Sequence, residues 1–259
     1  MEQVREIPDT GRSEPFPGAA PPRAPKPAPL ARSLSRRLVS EGLGTALLLA
    51  AVVGSGIMGE RLSGGNRAIA LLANSLATGA ALVALILSFG PVSGAHFNPV
   101  VTFCLAARRE LAWRDVLPYL LVQLGGGVLG VWAANYMFEL PVFMTSTRVR
   151  TGGAQWASEA LATLGLLTVL IGVAKARPGS VSFAVGGYIT AAYWFTSSTS
   201  FANPVVTVAR ALTDTFAGIR PQDVLGFVLA QLLGALIATL LLGWLVPPAP
   251  GSSSIPEEP

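Results

Sequence analysis

The tripeptide Asn-Pro-Val occurs twice, as Asn98-Pro99-Val100 and Asn203-Pro204-Val205, and each copy opens a short apolar stretch in a chain otherwise built from long hydrophobic runs. Asparagine is a strong helix N-cap and proline suits the first helical position, so each motif predicts a helix start. About 10 residues separate Asn98 from the charged Arg108-Arg109-Glu110 cluster, and a similar number separate Asn203 from Asp214. A bilayer crossing needs ~20. Both helices should therefore stop halfway, and a helix start at membrane depth is tolerated only where protein buries it or a watery cavity receives it. Two such half-helices in corresponding places suggest a pore.

A composition of 51% hydrophobic and 12% charged residues excludes an ordinary soluble domain. The charges cluster between apolar stretches, leaving six candidate spans near residues 35–57, 68–91, 114–138, 156–175, 180–198 and 222–246. The net charge of +4 comes mainly from arginines at segment ends and in the N-terminal tail, so it gives no support to nucleic-acid binding. An even number of spans puts both termini on one side, together with Arg108, Arg109, Arg114, Lys175 and Arg177. That side then holds 12 of the 18 basic residues, which predicts cytoplasmic termini in a multi-pass protein of the plasma or inner membrane. Residues 1–33 contain eight prolines and no signal-peptide core, and 247–259 are polar, so both ends are expected to be tails without fixed structure. Cys104 is the single cysteine and permits no intrachain disulfide.

An internal repeat organises the region between the tails. Glu41-Gly-Leu-Gly-Thr45 matches Glu159-Ala-Leu-Ala-Thr163, and Gln123-Leu-Gly-Gly matches Gln231-Leu-Leu-Gly, with the Asn-Pro-Val motifs between them; the offsets are 118, 108 and, for the motifs, 105 residues. Repeat one covers about 34–138 and repeat two about 156–246. Each holds three spans and one half-helix. Three is odd, so the second repeat enters from the opposite side and the pair is inverted about an axis in the membrane plane. The expected fold is an all-α membrane protein of six transmembrane helices and two re-entrant half-helices. Asn98 and Asn203 would meet near the midplane, with both positive dipole ends at the centre of one path.

Over residues 34–246 the chain resembles the aquaporin and aquaglyceroporin family, the major intrinsic proteins. Ser93-Gly94-Ala95-His96-Phe97-Asn98-Pro99-Val100-Val101-Thr102 is similar to the family's first pore loop, and Thr199-Ser200-Phe201-Ala202-Asn203-Pro204-Val205-Val206 to its second. Both motifs carry valine where the family most often has alanine. The resemblance implies a homotetramer with one pore per protomer, and carboxylates at Glu41 and Glu159 that accept N–H groups from the pore loops. It also places His96 on the pore lining, as loop packing rather than as a gate or metal ligand. Without it, Asn98 and Asn203 read as caps whose amide N–H₂ could also face solute, and Gln123 and Gln231 as helix-packing residues that bond between helices.

The family usually has arginine directly after the second motif; here it is Val206. Matching positions put Thr78, Ala191 and Ser200 beside Val206 in the selectivity constriction. All four are small or medium-sized, and valine lacks the five donors and the charge of a guanidinium, so the expected pore is wider and less polar than a water filter. Arg210 lies one helical turn beyond Val206, ~5.4 Å along the second half-helix, and is expected nearer its far end. The two half-helix dipoles, roughly +0.5 charge each, together oppose a cation ~4 Å away by about 4 kcal/mol at an effective dielectric near 20.

The expected function is a passive channel for small neutral solutes, polyols or metalloid hydroxides such as glycerol and arsenous acid, with water also passing. Val206 and Ala209-Arg210-Ala211-Leu212-Thr213-Asp214 resemble bacterial arsenic-associated aquaglyceroporins. A water-selective channel is the near alternative. A coupled secondary transporter is the alternative of another class, and saturable accumulation against a gradient would distinguish it. No cofactor, metal site or catalytic constellation is predicted, so the chain is not expected to be an enzyme.

Overall fold

The computed structural model describes residues 33–246; the tail expectations for 1–32 and 247–259 fall outside them. Eight helices follow in order: α1 (Leu34–Leu62), α2 (Arg67–Ser93), α3 (Pro99–Ala107), α4 (Trp113–Met137), α5 (Gly153–Ala176), α6 (Val181–Phe195), α7 (Pro204–Ala209) and α8 (Pro221–Leu245). Short 3₁₀ turns, Pro178–Ser180 and Arg210–Leu212, precede α6 and follow α7. Among the described residues there is no strand.

Five helices, α1, α2, α4, α5 and α8, are long and apolar enough to cross a membrane. The fifth expected span, 180–198, is realised as a shorter helix of 15 residues, α6. It stops at Phe195 because Thr196 turns extended to begin the second pore loop. The first span runs five residues past its expected end, to Leu62. Hydropathy loses it at Glu60 and Arg61, but Glu60 pairs with Arg148 at 2.7 Å and Arg61 donates to the Phe138 carbonyl at 2.7 Å, so the charges do not end the helix.

Burial is inverted relative to a water-soluble protein. Leu225, Leu229, Leu233, Leu236 and Leu240 of α8 are exposed, while Glu41, Gln123, Glu159 and Gln231 are completely buried. Such a surface suits a lipid solvent; inside, the glutamine Nε2 groups bond the glutamates, while Gln123 Oε1 and Gln231 Oε1 are buried without a partner among the described residues.

Helix packing follows the repeat: α1 lies on α4 and α5 on α8, while α2 on α6 joins the halves. The offsets found in the sequence recur as contacts. A Cβ on Gly126 of α4 would stand 2.1 Å from the Gly42 carbonyl oxygen of α1, and one on Gly234 of α8 would stand 2.2 Å from the Ala160 carbonyl oxygen of α5. These are backbone approaches that only glycine allows. Where the repeats differ they exchange volume. A Cβ on Gly44 would enter the Phe97 ring, whereas the equivalent Ala162 shares a cluster with the smaller Ala202. Gly126→Ala and Gly234→Ala should each cost about 1–3 kcal/mol by forcing the helices apart, measured as thermal unfolding of the solubilised protein. Gly187, whose added Cβ would meet nothing within 4 Å, is the control; equal stability of all three variants would refute the contact.

Candidate functional site

α3 and α7 start at Asn98 and Asn203, each with the side chain as N-cap. Asn98 Oδ1 accepts the Val100 N–H at 3.1 Å, and Asn203 Oδ1 accepts those of Val205 and Val206 at 2.9 and 3.3 Å. The amide nitrogens then cross between repeats. Asn98 Nδ2 donates to the Ala202 carbonyl and Asn203 Nδ2 to the Phe97 carbonyl, both at 2.8 Å. The two half-helices therefore meet N-terminus to N-terminus. Of the two N–H donors on each amide, one is spent on the crossing and one remains to face solute.

The loops leading into the half-helices share an unusual backbone. Gly94, Ala95 and Phe97 have φ of 91°, 51° and 50°, and Thr199, Ser200 and Ala202 have 63°, 49° and 48°. A non-glycine residue in this left-handed region costs on the order of 1–3 kcal/mol and persists only where its surroundings hold it. Here the holder is a buried carboxylate. Glu41 accepts the His96 and Phe97 N–H groups at 2.9 and 2.8 Å, and Glu159 accepts those of Phe201 and Ala202, both at 2.9 Å.

Each carboxylate is in turn tied to its half-helix. Gln123 Nε2 donates to Glu41 and to Thr102 Oγ1, and Gln231 Nε2 to Glu159 and to Thr207 Oγ1. Thr102 and Thr207 donate back to the Asn98 and Asn203 carbonyls. The glutamines thus bond between helices, as their context suggested, with the loop carboxylates as partners. The first site adds Ser93 Oγ, which donates to Glu41 at 2.7 Å.

Between the half-helices and α2, α5 and α6 lies a cavity of about 60 Å³, several times the roughly 10–15 Å³ that one water requires. Asn98, Asn203 and His96 reach it from the loops. The His96 ring contacts Thr102 Oγ1 through Nδ1 at 3.1 Å and leans on Tyr119, 5.2 Å between centroids.

Thr78, Ser200 and Val206 all line the cavity, so three of the four expected constriction residues come together. Ala191 does not: it is exposed. A helix advances 100° per residue, so Ile189 and Tyr193, which do line the cavity, share a face that Ala191 cannot share. Tyr193 OH lies 3.2 Å from Thr78 Oγ1. The ring is therefore less uniformly small than the sequence suggested. Ser200 Oγ is buried without a hydrogen-bond partner among the described residues.

Arg210 also reaches the cavity wall, which its position one turn beyond Val206 did not predict. Its Nε donates to the Ala217 carbonyl and its guanidinium lies on the Phe201 ring, 3.4 Å from the centroid. Arg150 covers the same ring at 5.0 Å. Sequence reading missed Tyr193, Arg150, Thr102 and Thr207. Only the threonines left a signal: both motifs continue as Asn-Pro-Val-Val-Thr, which puts a hydroxyl one helical turn past each asparagine.

Paired half-helices, capped by asparagine and held head to head at the wall of one cavity inside an apolar-surfaced helix bundle, define a membrane channel. Residues 30–179 match the model of the major intrinsic protein family. The aquaglyceroporin AqpS of Rhizobium meliloti is 52% identical over 83% of this chain and 92% of its own length. Aquaporin NIP6-1 of Arabidopsis thaliana is 30% identical over 85% and 72%. The solved aquaglyceroporin of Plasmodium falciparum shares the fold, with a TM-score of 0.66 at 21% identity over 81% of this chain and 96% of that one. The chain belongs to the major intrinsic protein family and is a multi-pass membrane channel for small neutral solutes.

Proposed function

We propose that the channel conducts polyols and metalloid hydroxides, such as glycerol and arsenous acid, with water also passing, and that Thr78, Ser200 and Val206 form its selectivity constriction together with Ile189 and Tyr193. The observation that carries this reading is Val206 on the cavity wall, beside an unpartnered Ser200 hydroxyl. Val206 offers methyl groups to a carbon or metalloid centre, and Ser200 Oγ and the remaining Asn98 and Asn203 N–H donors serve its hydroxyls. The likeness to a protein named as an aquaglyceroporin supports the same solute class. Val100 and Val205, with Pro99 and Pro204, shape the half-helix starts just behind the asparagines. The positive half-helix ends reject cations without catalysis or coupling. The assembly is a homotetramer in the plasma or inner membrane with cytoplasmic termini.

The test is stopped-flow permeability of purified protein in liposomes for water, glycerol and arsenous acid. Glycerol or arsenous acid flux above protein-free vesicles is expected; water flux alone would favour a water-selective channel and sink the reading. Val206→Arg should lower glycerol flux roughly tenfold, the effect of about 1.4 kcal/mol on the barrier, while sparing part of the water flux. Unchanged glycerol flux in a correctly inserted variant would remove Val206 from the constriction.

A further inference from the structure

A second cavity, of about 450 Å³, adjoins the site at the Ser197–Thr199 end of the second pore loop. Its walls include Arg67, Arg148 and Arg150 with Gln155, Ser197 and Thr199, and among the described residues no aspartate or glutamate. Arg148 is paired with Glu60. Among the described residues the guanidinium groups of the other two form no ion pair, although the Arg150 backbone N–H donates to Asp223 Oδ2 at 2.8 Å. The Arg67 side chain makes no hydrogen bond or ion pair among the described residues. Arg150 spends four of its five donors on the carbonyls of Gly218, Ser198 and Phe216 and on Thr199 Oγ1.

These cations repel one another. Burial first, then Arg148 and more weakly Arg67, lowers the Arg150 guanidinium from its ordinary value to about 10. Glu60 neutralises Arg148 and Glu159 partly offsets Arg150, but the wall keeps an excess of positive charge that a bound anion would stabilise, and guanidinium N–H groups suit oxyanions best. One further atom narrows the ligand. Gln155 Oε1 is buried without a donor among the described residues, a costly state that an incoming O–H would relieve. A ligand that satisfies both features combines negative oxygens for the arginines with a hydroxyl for Gln155.

The geometry points to a hydrogen-phosphate-type oxyanion bound in this vestibule, its charged oxygens on Arg67 and Arg150 and its hydroxyl on Gln155 Oε1. A fully deprotonated sulfate lacks that hydroxyl, and a lipid phosphodiester has none on phosphorus, so phosphatidylglycerol could reach Gln155 only through its headgroup glycerol. Thr199 contacts Arg150 and immediately precedes Ser200 on the wall of the transport cavity, so an occupied vestibule obstructs the mouth of the path.

The experiment measures binding of inorganic phosphate, sulfate and a short-chain phosphatidylglycerol to the full-length protein in phospholipid-free detergent. Calorimetry at constant ionic strength is the readout, so neither solute flux nor its interpretation enters. Saturable phosphate binding, roughly tenfold tighter than sulfate for the one extra hydrogen bond, is expected. Arg67→Gln should weaken phosphate roughly tenfold in a protein that still folds, because Arg67 supports no contact. Gln155→Leu should erase the preference for phosphate over sulfate. Absence of saturable phosphate binding, or equal binding by Arg67→Gln, would overturn the site, and tighter binding of phosphatidylglycerol than of phosphate would overturn the free-ion assignment. A second measurement, resting on the neutral-solute reading, is glycerol flux in liposomes. Phosphate should slow it with the same concentration dependence in wild type and not in Arg67→Gln.

Discussion

Glu159→Ala should abolish solute flux and destabilise the protein by about 2–6 kcal/mol. The variant strands the buried Phe201 and Ala202 N–H groups, each costing about 1–3 kcal/mol when unsatisfied. It also releases Gln231, the link to Thr207. With no acceptor for the Phe201 and Ala202 N–H groups, Ala202 has no reason to remain left-handed, and the loop that carries Asn203 relaxes. Glu41→Ala should be the more damaging of the two. Four donors converge on Glu41, from Ser93, His96, Phe97 and Gln123, against three on Glu159. Thermal unfolding in detergent and glycerol flux in liposomes measure both effects. A well-folded Glu159→Ala protein with wild-type flux would show that the carboxylate does not hold the loop.

Asn203 separates two roles that a single alanine cannot. Asn203→Ala removes a cap worth ~1 kcal/mol and leaves Val205, Val206 and the Phe97 carbonyl without partners. Flux should fall at least about tenfold, the effect of ~1.4 kcal/mol on the barrier, and stability should drop as well. Asn203→Asp keeps the acceptor for Val205 and Val206 but loses the bond to Phe97 and brings a negative charge to the junction of the half-helix dipoles. Its folding should be less impaired, and its selectivity should invert. A carboxylate where two positive helix ends meet cancels the field that opposes cations, so potassium or proton leak in liposomes should rise above wild type. No rise in a folded Asn203→Asp channel would place cation exclusion elsewhere, with Arg210 and Arg150 as the next residues to replace.

Much of the fold was legible because the repeat imposes the same physics twice. Glu41 with Glu159, and Gln123 with Gln231, were paired by sequence offset, and each pair occupies equivalent hydrogen-bond positions in the structure. The half-helices were legible because asparagine followed by proline is a local signal, contained within a few residues. Ala191 failed for the opposite reason. Its assignment depended on the rotation of α6, and a two-residue error turns a side chain by about 200°. The apolar pattern could not correct it, since α6 is hydrophobic on faces directed at protein and on faces directed at lipid alike.

Residue chemistry and spacing alone determined the class of protein: membrane-length runs, an odd number of spans per repeat, and two capped half-helices admit an inverted duplication around a shared path. Tertiary structure alone decided what lines that path. Arg210 on the cavity wall, Tyr193 against Thr78, and the crossed Asn98–Ala202 and Asn203–Phe97 bonds each join residues far apart in the chain or depend on how a helix is rotated. Spans and caps are set by short-range transfer and hydrogen-bonding energies that each segment carries with it. The pore wall is set by which faces remain after every helix has found its neighbours, a property of the packed bundle.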